Sequence, residues 1–345
     1  MARQGAWRIA AAYAGTVVGA GFASGQETLQ FFTAFGPAGS AGLILAVLLF
    51  SGFGVRVLWL GRKLNAGSHR PLVHWAFGPR VAPIVDWVLT LFLLATAAAM
   101  ASGAAATMLE QYGWPRWLGA ALMTALSAAT VLTGLRGVIR AIAFVAPLLI
   151  GSVLAISAYS LSDGPGIAAA LAWEGRPQLA PVEPWWLAGA LYVAYNMVLA
   201  VPVLGPLGAE ARDRAALAWG GALGGIGLGL GAGAIHLAVA AHMPEASRFD
   251  IPMLYAARGL PPWVPLAYSA LLLAEVYTTA VAVLFGFAAR LGEESGPRFR
   301  AAVIGGGAAA FVGGLFPFAE VVGTVYPLMG LVGGLMLLSF LRPWR

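Results

Sequence analysis

Apolar runs long enough to cross a bilayer follow one another along almost the whole chain. They fall at about 7–35, 39–62, 81–109, 115–134, 137–161, 184–208, 214–242, 262–290, 299–315 and 318–341, punctuated by charge, Pro and Gly. A spanning helix takes roughly 20 residues, so ten of them with their connections use all 345 residues. The expected fold class is an all-α integral membrane protein, a single transmembrane domain over 1–345 with no soluble domain beside it. Only 10% of the residues are charged and the mean hydropathy is +0.83, which excludes a cytosolic enzyme and a disordered tail. There is no cysteine, so disulfides, thiolate nucleophiles and Cys-ligated metals are excluded. A net charge of +6 would suggest nucleic acid on a soluble chain. Here the basic residues sit in short connections between apolar runs, so lipid is the expected partner and nucleic acid is not.

The first 25 residues also admit a signal-peptide reading, because Arg3 and Arg8 precede a stretch rich in small residues. The apolar run continues past any cleavage site, which favours a retained span. With the N-terminus placed inside, the inner side receives sixteen of the twenty Lys and Arg residues: 3, 8, 56, 62, 63, 70, 80, 136, 140, 212, 214, 290, 298, 300, 342 and 345. The outer side keeps Arg116, Arg176, Arg248 and Arg258. Both termini are therefore expected in the cytoplasm of a bacterial inner-membrane, multi-pass protein. Trp at 7, 75, 114, 117, 185, 186, 263 and 344 falls near span ends, at headgroup depth.

Ten spans divide into 7–161 and 184–341, separated by the connection around Ser162 to Pro184. Five is odd, so the second half enters the membrane from the opposite side, and any similarity between the halves is an inverted repeat. No clear residue identity links them; the repeat is inferred from topology.

The first span carries Gly15, Gly19, Gly21 and Gly25 in AGTVVGAGFASGQE, too many glycines for a firm helix. A break near Val18 to Ser24 is expected, and unwound backbone at membrane depth is tolerated only against protein or a wet cavity. Close helix packing through small residues is the competing account. The sixth span carries Asn196 near its centre, with Pro202 and Pro206 beyond it. Pro202 frees carbonyls around Val198, so irregular backbone is expected from Tyr195 to Pro202, against the simpler alternative of a kink. Interrupted helices at corresponding places in two halves point to a transport site at their crossing.

Glu275 lies near the middle of the eighth span and must be protonated, paired or turned to a polar cavity; it is a candidate proton site. Thr278 and Thr279 share its helical face. Their hydroxyls with the carbonyls of a broken helix form an oxygen cage suited to a hard cation such as sodium, unless both bond back to their own helix. Glu27, Asp86 and Glu320 are read as interfacial or paired, and His236 as a hydrogen-bonded structural residue more than a proton carrier. No P-loop, histidine pair at metal spacing or nucleophile elbow is present, and Gly19-Ala20-Gly21 lacks the strand and third glycine of a dinucleotide site. No enzyme and no organic cofactor are expected.

GAGFASGQE at 19–27, YNM at 195–197, DIPMLY at 250–255 and EVYTTAV at 275–281 resemble the YkvI family of bacterial membrane proteins along nearly the whole chain. That family is placed with the amino acid–polyamine–cation transporters, which implies the LeuT fold: ten helices in a five-plus-five inverted repeat with helices 1 and 6 broken. AGTVVGAG at 14–21 matches the unwound first span of LeuT-type sodium symporters without a gap. The resemblance implies a sodium site from Gly15, Val18, the backbone of Glu275, Thr278 and Thr279. Phe22 stands where those symporters have a polar residue for a second sodium, so one coupling ion is implied. Glu275 leaves open that a proton replaces or competes with it.

The expected function is therefore secondary active transport by alternating access, a Na+ or H+ symport of a small zwitterionic solute such as an amino acid. The break at Gly19 and Gly21 with the amides from Phe22 through Ala23 and Ser24 to Gly25 would take the carboxylate. Carbonyls near Ala194 and Asn196 would take the ammonium, Tyr192, Tyr195 and Asn196 would set specificity, and Tyr277 would face the cation. The rivals are a ligand sensor on a transporter scaffold and a passive facilitator, which would need a continuous polar path.

Overall fold

The computed structural model describes residues 2–133, 138–211, 213–294 and 296–342. Arg136, Arg212, Trp344 and Arg345, which entered the orientation reading, lie outside the described residues. The helices in chain order are α1 (Ala2–Val17), α2 (Ala20–Ser24), α3 (Gln26–Phe31), α4 (Pro37–Lys63), α5 (Arg70–Tyr112), α6 (Arg116–Thr133), α7 (Val138–Ser162), α8 (Gly166–Ala172), α9 (Trp185–Glu210), α10 (Arg214–Ala241), α11 (Pro252–Ala256), α12 (Trp263–Leu291), α13 (Pro297–Gly313) and α14 (Phe318–Phe340). Among the described residues, α4, α5, α6, α9, α10, α12 and α14 are each long and apolar enough to cross a membrane. The expected first span is divided among α1, α2 and α3, and α13 has only 17 residues.

Polarity is arranged for lipid. Ile44, Leu48, Leu91, Leu230, Leu335 and Leu338 face outward, while Glu27, Asn196, His236 and Glu275 are buried. In water the reverse would hold.

Two groups of four helices form the body. In one, α1, α4, α9 and α10 pack together; in the other, α5, α6, α12 and α13 do, with α14 joining α9 to α5 and α7 joining α10 to α12. Glycine seams let the first group close up. A Cβ on Gly61 or Gly208 would overlap backbone at Gly205 or Leu58 across the α4–α9 contact, and one on Gly221 or Gly225 would strike Val55 or Ser51 across α4–α10. Lipid supplies no hydrophobic drive between helices, so such close approach of backbones is the main source of their attraction. α1 belongs to this group: the Tyr13 hydroxyl donates to the Phe50 carbonyl at 3.0 Å.

Two glycines turn the chain. Gly78, at φ 70° and ψ 171°, bends α5 near its start, and Gly25, at φ 80° in the left-handed region, separates α2 from α3.

Candidate functional site

The glycine-rich first span does break, over two residues. The ladder of α1 ends with Val18 N–H donating to Ala14 at 2.8 Å and resumes with Ala23 N–H donating to Gly19 at 3.0 Å. Carbonyls 15–18 lie in the gap. The sixth span does not break: α9 is helical from Trp185 to Glu210 with Pro202 and Pro206 inside it, which corrects the irregular stretch expected from Tyr195 to Pro202. Proline lacks the N–H that would occupy the Val198 carbonyl, so α9 exposes an acceptor without unwinding.

A cavity of about 440 Å³ collects these features. Its wall includes Gly15, Val18, Gly19 and Gly21 of the first span, Tyr195, Asn196 and Val198 of α9, and Glu275, Thr278 and Thr279 of α12. Asn196 Nδ2 donates to the Tyr192 carbonyl at 2.9 Å, and Thr278 Oγ1 donates to the Glu275 carbonyl at 3.0 Å. That back-bond uses the hydroxyl proton and leaves the Thr278 lone pairs free to accept. Glu275 Oε2 is buried and has no hydrogen-bond partner.

Other expected residues lie elsewhere. Phe22 packs against α10 at Gly231. The Ala23 carbonyl accepts from the Tyr268 hydroxyl, and Ser24 Oγ donates to the Gly21 carbonyl at 2.7 Å. A Cβ on Gly25 would meet Met253. The amides of Ala23 and Gly25 are bonded to Gly19 and Phe22, and it is Gly19, Ala20 and Gly21, not 22–25, that line the cavity. Tyr192 is enclosed by the rings of Phe31, Phe32, Phe50 and Tyr195 and does not line the cavity. The Ala194 carbonyl faces the close approach of Gly333 on α14, and Tyr277 bonds to Thr130 Oγ1 at 2.6 Å, away from any cation in the cavity.

Glu27 is the largest correction. It is neither interfacial nor ion-paired: it is 5% exposed, lines the cavity, and accepts a hydrogen bond from the Tyr195 hydroxyl. Its carboxyl lies on the bare backbone of Gly21, where a Cβ would overlap Oε1. Tyr326 of α14 joins it in the wall, its ring 4.8 Å from that of Tyr195. Every residue from Ala20 to Phe35 is buried, which no hydropathy pattern reveals.

The two ends of the cavity differ. Beyond Glu27 the surface is tied shut: Arg116 pairs with Asp250 at 2.7 Å, Asp250 caps the Ala319 amide at 2.9 Å, and Gln30 donates to the Ala319 carbonyl at 2.7 Å. At the other end the wall reaches His69 and Arg290 and the exposed residues Pro202, Val203 and Ala282. There Arg290 pairs with Asp86 at 2.8 Å, which fulfils the paired reading of Asp86. Arg290 also donates to Thr90 at 3.1 Å and lies 3.0 Å from His69 Nε2. The same nitrogen is 3.3 Å from Asp86 Oδ1, so His69, Asp86 and Arg290 form one cluster. Burial holds the His69 pKa below its ordinary value. His236 bonds through both ring nitrogens to Thr33 and Ser40, each at 3.0 Å, as a structural histidine would. Glu320 is exposed in the first turn of α14.

No family model matches the chain. It is 29% identical over 331 residues to the membrane protein YkvI of Bacillus subtilis, itself uncharacterised, covering 94% of this chain and 92% of the relative. Among solved structures, the inward-facing conformation of Mhp1 superposes with a TM-score of 0.67 at 18% identity, over 97% of this chain and 76% of that one. MhsT in complex with L-phenylalanine gives 0.64 at 17% identity, over 96% and 94%. Both are LeuT-fold secondary transporters. The chain is therefore similar along nearly its whole length to the YkvI membrane proteins and has the fold of the LeuT-type transporters.

Proposed function

We propose that the protein is a cation-coupled secondary transporter that carries a small solute bearing an ammonium group, such as an amino acid. The observation that carries this is one cavity that joins the break of α1, the α12 oxygens and Tyr195, with exposed residues in its wall at the His69–Arg290 end. A facilitator with a continuous polar path would not be tied shut beyond Glu27.

The coupling ion, Na+ or H+, would sit among the carbonyls of Gly15 and Val18, the Glu275 backbone and the hydroxyls of Thr278 and Thr279, with the Glu275 carboxyl as the proton site. Such a cation ties the first span to α12, so it links ion binding to solute affinity. The open end carries His69 and Arg290, on the Arg-rich side read as cytoplasmic in a bacterial inner membrane. An inward-facing form follows, and an inward-facing neighbour of the same fold supports it. Opening to the other side would wet the buried, unpartnered oxygens of Gln26, Thr28 and Gln30 on α3.

Packing supports the expected inverted repeat of 7–161 and 184–341. With α1, α4, α5, α6 and α7 matched to α9, α10, α12, α13 and α14, the contact of α4 with α9 mirrors that of α10 with α1. The contact of α5 with α14 likewise mirrors that of α12 with α7. No step of this function breaks a covalent bond.

Proteoliposomes test the reading. Uptake of amines and amino acids is expected to follow an imposed Na+ or H+ gradient, and Thr279→Val, which keeps shape and removes a ligand, is expected to weaken that dependence. Uptake by Thr279→Val with the wild-type ion dependence would remove the proposed cage.

A further inference from the structure

The deep end of the cavity is built for positive charge. Glu27 presents a carboxyl group there with a single hydrogen-bonding partner, the Tyr195 hydroxyl. Among the described residues no Lys, Arg or His side chain is paired with it. The basic side chains that reach this cavity, Arg290 and His69, stand at the far mouth, and Arg290 is engaged by Asp86 and Thr90. A buried acidic group in such a setting lacks a counter-charge that the protein does not supply. The rings of Tyr195 and Tyr326, 4.8 Å apart, line the same cavity, and electron-rich rings attract cations.

The same end leaves a solute carboxylate little free ground. The amides of Ala23 and Gly25 are spent inside the chain, those that open α2 at Ala20 and Gly21 line the cavity where the Glu27 carboxyl already lies, and among the described residues no Lys, Arg or His side chain is paired there. The glycine at position 21 gives its space to the Glu27 carboxyl, so the protein's own acidic group fills ground that a bound carboxylate would need. In an α-amino acid one carbon separates ammonium from carboxylate, so an ammonium held at Glu27 would bring a second negative group beside the first.

We propose that the solute is an organic amine without a carboxylate of its own, and that Glu27 is the counter-charge to its ammonium. This rests on the transporter reading and narrows it.

Matched pairs test it on the purified full-length chain: isobutylamine against valine, phenethylamine against phenylalanine, putrescine against ornithine, each titrated with sodium and with choline while thermal stability is followed. At least one amine is expected to bind tenfold or more tightly than its amino acid, and Glu27→Gln to lose at least tenfold in affinity for that amine while Glu27→Asp retains part of it. Should Glu27→Gln not fold, the amine-to-amino-acid ratio of the wild type decides. An amino acid that binds as well as its amine, or undiminished amine binding by Glu27→Gln, would overturn the inference and leave the transporter reading standing. Binding of none of the six in either salt would overturn both.

Discussion

Glu27 and Glu275 face one cavity from opposite helices, and the protein treats them differently. Glu27 is held: Tyr195 donates to it and the glycine at 21 makes a seat for it. Glu275 is left loose, with Oε2 buried and without a partner, beside two hydroxyls and the carbonyls of a helix break. A fixed acidic group suits recognition of a particular cationic solute, since its orientation is set before binding. An unpartnered one suits an ion that comes and goes, because nothing must be broken to admit it. Under the proposed function, solute selection would fall to the α2–α3 end and coupling to the α12 face.

The strongest way to break this division is Glu27→Gln, expected to weaken amine binding about thirtyfold, roughly 2 kcal/mol, the size of a lost charge-assisted hydrogen bond. Isothermal titration reads it, and the remaining affinity should keep its ion dependence. Glu275→Gln is the converse. It should cost about tenfold in solute affinity under coupling conditions, a typical linkage, and flatten the dependence on pH or sodium. If both variants lose affinity and ion dependence alike, the two carboxyls form one site and the division is wrong.

Smaller effects sharpen the comparison. Thr279→Val should weaken the coupling ion about fivefold, read as a shift in the sodium concentration that half-stabilises the protein. Gly21→Ala should push the Glu27 carboxyl off its seat, destabilising the fold by about 1–3 kcal/mol as overpacking does, with a lowered melting temperature and weaker amine binding. Asp86→Asn, at the mouth, should alter solute affinity less than threefold, since it touches neither acidic group.

Much of this was legible in the residues. Hydropathy places the helices because lipid demands long apolar runs, and four glycines in eleven residues put a break within Val18 to Ser24, where the helix lapses at 18–19. The α9 expectation failed because proline weakens a helix in two ways and only one operates here. It removes a donor, but neighbours packed through Gly61, Gly208 and Gly333 hold the helix straight enough to stay helical. Glu27 was misplaced for a different reason. Sequence gives depth along a span, whereas the left-handed turn at Gly25 redirects the chain and sends the side chain back to Gly21. Tyr326 was invisible for the same cause, since α14 reaches the first span only through the tertiary fold.

The central claim is that cation and solute bind one cavity in mutual dependence. Titrating the wild-type protein with its solute in sodium, in choline, and at two pH values tests it most directly. The account predicts an affinity at least fivefold higher with one coupling ion, Na+ or H+, and the same factor when the order of addition is reversed. Equal affinity under all conditions would contradict it.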